Sequence, residues 1–294
     1  MILSDLKNKN YKTFGENMHE YRLLIETNDT KGLVYKISKI LFEFNLNIES
    51  NSEYVDDETN QFFMRSVITG EFEEIKLLKE LKQILPLDAS IKLTNKVKKD
   101  IVILATKEMH CLGDLLIKHE AGELDANITA VISNRDSLKN LVEKFNIPFE
   151  FVSHENLSRE AHEDLVIDAI KKYDYELIVL AKYMRILTPN FVTTFPGQVL
   201  NIHHSFLPAF IGANPYKQAH SRGVKIIGAT SHWVTNDLDE GPILAQDIAR
   251  VDHTYSWEDM RDAGRNVEKV VLSNALDLVL KDKVFVYGNK TVIL

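Results

Sequence analysis

The chain has 294 residues, of which 45% are hydrophobic and 27% are charged, and its formal net charge at pH 7 is -8. A chain of this size buries one large core or two modest ones, so two domains are expected. The acidic balance argues against partners with a phosphate backbone, such as DNA, RNA or tRNA, and favours a small-molecule ligand. Because Cys111 is the only cysteine, an internal disulfide and a cysteine zinc cluster are excluded.

The distribution of apolar residues predicts a cytoplasmic protein without a membrane partner. No apolar run approaches the roughly 20 residues that a membrane-spanning helix needs. The opening residues MILSDLK mix acidic and basic side chains where a secretory signal has its apolar stretch. Residues 1–20 are polar and weakly patterned, and we expect them to form an N-terminal extension without a function of its own.

Residues 21–95 are expected to form the first domain, in which strands and helices alternate. An apolar strand at 21–25 precedes a turn at 28–32 and apolar residues at helical spacing up to Phe44. Strands are also predicted at 48–55 and 62–68, followed by a helix at about 72–85 and a last strand near 90–93. This β-α-β-β-α-β order is typical of the ferredoxin-like fold, in which two helices cover one face of an antiparallel sheet.

The first strand-to-helix loop of this domain carries Asp29 and Gly32, and Asn47 lies in the NLNI segment before the second strand. With the order of elements, these residues resemble the ACT family of amino-acid-sensing domains. In such a domain, backbone N–H groups at a helix N-terminus receive the carboxylate of an amino acid. The resemblance implies an effector site that includes Asp29, Gly32 and Asn47. The alternative is that the loop residues only form a turn and a helix cap.

Residues 96–294 are expected to form the second domain, after the basic connector KVKK at 96–99. Apolar strands recur at 101–105, 128–132, 149–152, 177–180 and 199–202, with helical stretches between them. This alternation indicates a doubly wound, mostly parallel, Rossmann-like sheet. Ligands of such sheets bind at the carboxyl ends of the strands, so the loops that follow the strands are the candidate site.

The loop after the first strand of this sheet contains His110 and Cys111 and lacks the patterns GxGxxG and GxxxxGK. Those patterns cradle the phosphates of dinucleotides and nucleoside triphosphates, and their absence argues against both ligands. We also predict no metal site, because the histidines show no HxxxH or similar ligand spacing.

Two polar side chains share one side of the strand at 199–203, because alternate residues of a strand point the same way. They are Asn201 and His203, a carboxamide and an imidazole that can both donate to one developing oxyanion. The later loop TNDLDEGP at 235–242 supplies the carboxylate of Asp239. Each signal is weak alone, since a single strand histidine is more often structural and DEGP is an ordinary turn.

Together, the segments NIHHSFLP, GATSHWV and LDEGPI resemble the folate-dependent formyltransferase superfamily over about residues 100–294. The resemblance implies that Asn201, His203 and Asp239 are the catalytic residues. Within GATSHWV, His232 and Trp233 are interpreted as core residues, because they lie on a strand.

The segment LAKYMRILTP at 180–189 matches the part of that superfamily that lines the pterin pocket. The resemblance implies contacts to the folate through backbone groups and apolar side chains. The predicted substrate-binding residues of this segment are Met184, Arg185, Ile186 and Leu187. Core packing is the alternative for the apolar residues, and a loop salt bridge is the alternative for the arginine.

The absence of two sequence features reduces the range of possible acceptors for the formyl group. Members that formylate glycinamide ribonucleotide need a glycine-rich phosphate loop, members that formylate initiator tRNA need a basic extension, and the sequence has neither. The ACT-like domain, HCLGDLL at 110–116 and NIHHSFLPAF at 201–210 closely resemble the branch that hydrolyses 10-formyltetrahydrofolate to tetrahydrofolate and formate. This branch supplies formate and balances the one-carbon folate pool for purine synthesis.

The same resemblance completes the predicted site and its chemistry. It implies a hydrolase of a linear amide C–N bond that needs no cofactor besides its folate substrate. We expect Asp239 to orient and deprotonate the attacking water. Further predicted substrate-binding residues, of which the first three would wall off the space for an amine, are His110, Cys111, His204 and Gly241.

Two other functions stay open at this point. One is formyl transfer to a small amine acceptor, and the other is a regulatory protein that binds folate and an amino acid without turnover. By pathway logic alone, glycine or methionine is the expected effector. A homo-oligomer is expected because ACT domains commonly pair edge to edge, and a tetramer is favoured.

Overall fold

The computed structural model describes residues 19–209 and 214–294, and the chain divides into two compact units after Val97. Most of the predicted N-terminal extension, and the end of the NIHHSFLPAF segment, lie outside the described residues. Across the two described ranges, no helix combines the length and the apolar character needed to cross a bilayer.

The first unit is a four-stranded antiparallel sheet with the strand order β2-β3-β1-β4. The order of elements along the chain confirms the predicted ferredoxin-like plan. The elements are β1 Glu20–Asn28, α1 Leu33–Glu43, β2 Asn47–Asp56, β3 Gln61–Thr69, α2 Glu74–Ile84 and β4 Ser90–Asn95.

The helices of this unit are positioned by apolar side chains at helical spacing. On α1, Leu33, Ile37 and Leu41 are buried, which gives one apolar stripe along the helix. They belong to the same buried cluster as Leu23 of β1 and Met64 of β3, the two central strands. Burial of this stripe is what fixes α1 on the sheet.

The second unit contains a seven-stranded sheet with the order β11-β10-β9-β8-β5-β6-β7. Strands β5 to β9 run parallel to one another, and β10 runs antiparallel to both β9 and β11, so the sheet is mostly parallel as predicted. The strands are β5 Lys99–Ala105, β6 Ala126–Ser133, β7 Phe149–Phe151, β8 Leu177–Ala181, β9 Val199–His203, β10 Ile226–Trp233 and β11 Ile243–Arg250.

Helices cover both faces of this sheet, and a small hairpin, β12–β13, follows the last helix. The central strand β5 is buried on both faces. Ile101 and Ile103 belong to one buried cluster, and Val102 and Leu104 belong to another. The elements are α3 His110–Glu120, α4 Lys139–Glu143, α5 Arg159–Ile170, α6 Pro189–Thr194, α7 Pro215–Arg222, α8 Trp257–Leu280, β12 Val284–Tyr287 and β13 Lys290–Ile293.

Strand register places the ends of β5, β8 and β9 side by side. Ala105 at the end of β5 pairs with Ala181 at the end of β8, and Leu180 pairs with Asn201 of β9. The residues that follow these strands therefore leave the sheet at one edge. This edge carries the candidate site.

Candidate active site

Asn201 and His203 lie on one side of β9, as the alternation of the strand predicts. Antiparallel pairing with β10 sets His232 opposite Asn201. The Nδ1 of His232 lies 2.9 Å from the backbone oxygen of Trp233, and its Nε2 lies 3.1 Å from Nδ2 of Asn201. With the Nδ1 proton donated to that backbone oxygen, the ring accepts a hydrogen bond from the Asn201 amide. His232 thereby orients the carboxamide.

Asp239 reaches this pair from the loop between β10 and β11. Its Oδ1 lies 3.2 Å from Nδ1 of His203 and 3.7 Å from Nε2 of His232. Burial alone raises the pKa of the Asp239 carboxyl, but the hydrogen bond with His203 and the charge of that ring outweigh it, and the pKa lies well below its usual range. The side chain is therefore an anion at neutral pH.

The contact with Asp239 leaves one nitrogen of His203 free. Its Nε2 is buried and has no hydrogen-bond partner among residues 19–209 and 214–294. A buried polar atom without a partner is costly, and a contact with a bound ligand is one way to satisfy it. Asn201, His203 and Asp239 all line the same cavity.

The loop that carries Asp239 is held in an unusual backbone conformation. Asp239 has φ 58°, in the left-handed region that is strained for most residues. Nearby, a Cβ on Gly241 would lie 1.8 Å from the backbone oxygen of Trp233, so only glycine lets the loop pack this closely on β10. The N–H of Trp233 also donates to the backbone oxygen of Pro242 at 2.9 Å. Gly241 therefore fixes the position of Asp239.

The cavity has a volume of about 640 Å³ and opens beside the three residues. Cavities of roughly 300–1,000 Å³ accommodate drug-sized ligands. Nine of the eleven predicted catalytic and substrate-binding residues of this unit line it, and the two that do not are Cys111 and Gly241. Cys111 is 1% exposed in the adjoining core, and its burial raises the pKa of the thiol, which makes it a packed, unreactive group.

The segment at 184–187 presents apolar side chains to the cavity. Met184 is 55% exposed and Ile186 is 50% exposed, although both are large hydrophobic residues. Core packing does not explain such exposure, whereas a wall for an apolar ring does. The backbone N–H of Met184 donates to Oγ1 of Thr106 at 3.0 Å, which ties the segment to the end of β5.

A second polar cluster, here called the Glu268 cluster, lines the same cavity and consists of Glu268, His110, Lys182 and Tyr216. Glu268 lies on α8 and is 1% exposed. Its carboxylate lies 2.7 Å from Nε2 of His110 and accepts from the hydroxyl of Tyr216 at 2.6 Å. Lys182, directly after β8, places Nζ 3.2 Å from the same carboxylate.

The partners of Glu268 outweigh the effect of its burial. Burial raises the pKa of this carboxyl, but His110, Lys182 and Tyr216 bring it down to about 2. Two unusual backbone features support the cluster. Lys182 adopts φ 62°, and the missing side chain of Gly264 makes room for the Tyr216 hydroxyl, because a Cβ there would lie 2.1 Å from it.

Three of the neighbouring side chains have the composition of a metal site. Ligand atoms of His110, Cys111 and Glu268 lie within 4.8 Å of one another. However, the ammonium of Lys182 is bound to the same carboxylate and would repel a cation. This donor set is therefore poorly suited to a metal ion.

His204, the residue after β9, is half-buried on the cavity wall. Its ring centroid lies 5.2 Å from that of His203 and 6.0 Å from that of Tyr216. Burial, the charge of Lys182 and the charge of His203 lower the pKa of His204 to about 3. The ring is neutral at pH 7.

The predicted effector residues are not brought together within one chain. Asn47 pairs with Thr69, which also faces Glu20 at the start of β1. Asp29 and Gly32 follow the other end of β1, about 27 Å away at a rise of about 3.4 Å per residue. Gly32 has φ 86° and precedes α1, while Asp29 is held through its backbone by the turn between β2 and β3.

Sequence reasoning missed Lys182, Glu268 and Tyr216, and it assigned His232 to the core. His232 is 1% exposed, so the packing interpretation is correct for its burial, but its ring also contacts Asn201. The signal that could have placed His232 in the site is the alternation of side chains along β10. Once the pairing with β9 is known, this alternation determines the face of the sheet on which His232 lies. Glu268 carries no local signal, since it is an ordinary acidic residue of a long helix.

Comparison with known proteins agrees with this geometry. The family model described as formyl transferase matches residues 99–276, which contain the sheet and the cavity. The model described as ACT domain matches residues 21–86 in the first unit. The chain is therefore built as an ACT domain followed by a formyl transferase domain.

Individual relatives narrow the class. A formyltetrahydrofolate deformylase of Haemophilus influenzae is 57% identical, with 92% of this chain and 98% of that protein covered. The crystal structure of a formyltetrahydrofolate deformylase from Pseudomonas syringae pv. tomato matches with a TM-score of 0.90 at 40% identity, covering 96% of each chain. A glycinamide ribonucleotide transformylase of Symbiobacterium toebii matches less fully, with a TM-score of 0.64 at 29% identity, 67% of this chain and 94% of that chain. This chain belongs to the formyltetrahydrofolate deformylase family.

Proposed function

We propose that this chain hydrolyses 10-formyltetrahydrofolate to tetrahydrofolate and formate, and that the formate feeds the one-carbon pool used in purine synthesis. The observation that carries the proposal is that His203, whose buried Nε2 has no partner among the described residues, lines a cavity of about 640 Å³ together with Asn201 and Asp239. Amide hydrolysis needs donors for an oxyanion and an acceptor for a water proton, and these three side chains supply them.

The reaction begins with the attack of water on the formyl carbon. As the new C–O bond forms, the electron pair of the C=O bond moves onto oxygen, where the Asn201 amide and the Nε2–H of a protonated His203 stabilise it. Asp239 takes the proton of the water. The C–N10 bond then breaks as that proton passes to N10, and tetrahydrofolate and formate leave, with one proton released to solvent from the formic acid.

The anionic state of Asp239 suits this role. Its contact with Nδ1 of His203, at 3.2 Å, also fixes the ring so that Nε2 points away from the carboxylate. The chemistry needs only the folate, water and these side chains, so we propose no cofactor. The exposed apolar residues Met184 and Ile186 would contact the pterin ring.

The test is to incubate the purified protein with 10-formyltetrahydrofolate, without any amine, and to measure tetrahydrofolate and formate. We expect equal amounts of the two products. His203→Ala should lower kcat by about 10² to 10³ through loss of an oxyanion donor, and Asp239→Asn by at least as much. The exposed His253 provides a control, because His253→Ala should leave the rate unchanged.

The alternatives predict different products. Formyl transfer to a small amine would give no tetrahydrofolate until an amine is added, and would then give tetrahydrofolate and a formylated amine without formate. A protein that only binds folate would show binding of tetrahydrofolate and no product at all. Either result would overturn the proposed hydrolysis.

We further propose that residues 21–95 form a regulatory domain and residues 96–294 the catalytic domain. Because Asn47 lies at the far end of β2 from Asp29 and Gly32, an effector site that uses all three requires a second copy of the chain. A homo-oligomer, with a tetramer favoured, would provide that copy. Calorimetry with glycine and with methionine at millimolar concentration tests the effector, and the absence of heat with both would remove them.

A further inference from the structure

The attacking water has two hydrogens, and the proposed reaction assigns an acceptor to only one of them. If one hydrogen points to Asp239, the oxygen lone pair is aimed at the formyl carbon only when the second hydrogen is also held. A water with one fixed hydrogen rotates about that bond. A second hydrogen-bond acceptor on the cavity wall would prevent this rotation. The need for such an acceptor rests on the proposed hydrolysis.

Most polar groups near His203 are unable to serve as this acceptor. Lys182 has only donors. Glu268 is a carboxylate, but it is already bound by His110, Tyr216 and Lys182, at 2.7, 2.6 and 3.2 Å. Both carboxylate oxygens of Glu268 are therefore engaged by donors within the Glu268 cluster.

His203 itself is also committed. Its Nδ1 contacts Asp239 at 3.2 Å, and its Nε2 is assigned to the oxyanion. His232 is used by Asn201 at 3.1 Å and by the backbone of Trp233 at 2.9 Å. In the proposed reaction, each nitrogen of both imidazoles thus has an assigned role.

His204 differs from these groups. It lines the cavity, and its ring lies 5.2 Å from the ring of His203 and 6.0 Å from the ring of Tyr216 in the Glu268 cluster. We propose that the imidazole of His204 accepts the second hydrogen bond of the attacking water and so orients the water for attack. Because the oxygens of Glu268 are already engaged, His204 is the group on this part of the wall that we assign to the attacking water.

The charges around His204 agree with this role. Only a neutral imidazole has a nitrogen lone pair that can accept a hydrogen bond. Burial and the positive charges of Lys182 and His203 disfavour protonation of His204, and they outweigh the opposing charges of Glu268 and Asp239. The Lys182–Glu268 ion pair therefore has a second effect, because it fixes a cation near His204.

Two variants of His204 separate hydrogen bonding from packing. His204→Leu keeps a similar volume without an acceptor, whereas His204→Gln keeps an acceptor oxygen. After formate release by the unmodified protein is established, we expect His204→Leu to lower kcat roughly 10²-fold, the cost of a misplaced reactant, with KM within about 3-fold. His204→Gln should recover roughly 10-fold in kcat, which is the worth of one hydrogen bond.

Controls keep the result specific. His220 is an exposed histidine of α7 outside the cavity wall, and His220→Ala should retain full activity. Tetrahydrofolate binding, followed by fluorescence, should be unchanged in the His204 variants, which shows that the cavity is intact. The inference is overturned if the unmodified protein releases formate and either His204→Leu keeps its kcat or His204→Gln is no better than His204→Leu. The absence of formate from the unmodified protein would instead overturn the proposed function.

Discussion

Two carboxylates, the half-buried Asp239 and the buried Glu268, line one cavity, and their surroundings differ. Asp239 lies on a loop with a left-handed backbone, and its closest imidazole partner, His203, keeps one nitrogen unpartnered among the described residues. Glu268 lies within a helix of 24 residues and is bound by groups from three other parts of the unit. Both carboxyl groups have a pKa below its ordinary value.

The comparison teaches that a low pKa alone does not mark a catalytic carboxylate. In the Glu268 cluster, donors from His110, Lys182 and Tyr216 engage both carboxylate oxygens. At Asp239, the partner ring of His203 lines the cavity and keeps a buried Nε2 without a partner among the described residues. We therefore expect substitutions at Glu268 to affect folding most, and substitutions at Asp239 to affect the rate most.

The largest expected effect is on stability. Glu268→Ala leaves the ammonium of Lys182, which is 7% exposed, without its counter-ion, and we expect a loss of about 3–5 kcal/mol in the free energy of unfolding. Urea denaturation measures it. The double variant Lys182→Met with Glu268→Met should recover much of the loss, because no unpaired buried charge remains.

A matched control lies on the same helix. Asp277 forms an exposed pair with Lys281 at 2.7 Å, and both side chains are more than 40% exposed. Asp277→Ala should cost less than about 1 kcal/mol. If Glu268→Ala costs no more than this control, the Glu268 cluster does not stabilise the fold as described.

The pH dependence of stability sharpens the comparison. The pKa of Glu268 falls from its ordinary 4.5 to about 2 in the folded chain, so its contribution to stability is complete above pH 4.5 and is lost as the pH falls towards 2. Each pH unit inside this window removes at most about 1.4 kcal/mol. Urea denaturation from pH 7 to pH 3 should show a steeper loss for the unmodified chain than for Glu268→Gln, and equal slopes would contradict the assignment.

The smallest effect comes from a pair of helix glycines. Gly264→Ala would place a Cβ 2.1 Å from the Tyr216 hydroxyl and disturb its hydrogen bond to Glu268, so we expect a loss of about 1–3 kcal/mol in stability. Gly113 on α3 has no atom within 4 Å of the added Cβ. Gly113→Ala should therefore gain about 0.5–1 kcal/mol from helix propensity. Thermal unfolding of both variants checks the contrast, and a loss in both would indicate a general sensitivity of these helices.

Much of the fold was predictable because its elements have clear periodicity. The apolar stripe of α1 and the continuous apolar runs of β5 and β8 carry their burial in their own sequence. The edge strand β11 was not predicted, since its sequence ILAQDIAR has no regular apolar alternation and its strand state depends on pairing with β10. The hairpin β12–β13 was missed because it consists of two strands of only four residues each.

The candidate site, like the fold, was only partly predictable from the sequence. Asn201 and His203 were predictable because they lie two residues apart on one strand, which determines that they share a side. Asp239 was found through its motif, but its contact with His203 depends on a loop conformation that Gly241 permits. The exposure of Met184 and Ile186, which decides between core and pocket wall, follows from neighbours distant in the sequence.

The sequence by itself determined the two domain types, the order of their elements and the residues that carry the proposed chemistry, because these are local patterns and motifs. Only the tertiary structure decided that Glu268 is bound by His110, Lys182 and Tyr216. It also decided that His204 stands next to this cluster and that Asn47 lies far from Asp29. The physical reason is that burial and charge pairing arise between residues far apart along the chain, which meet only when strand order and register are fixed.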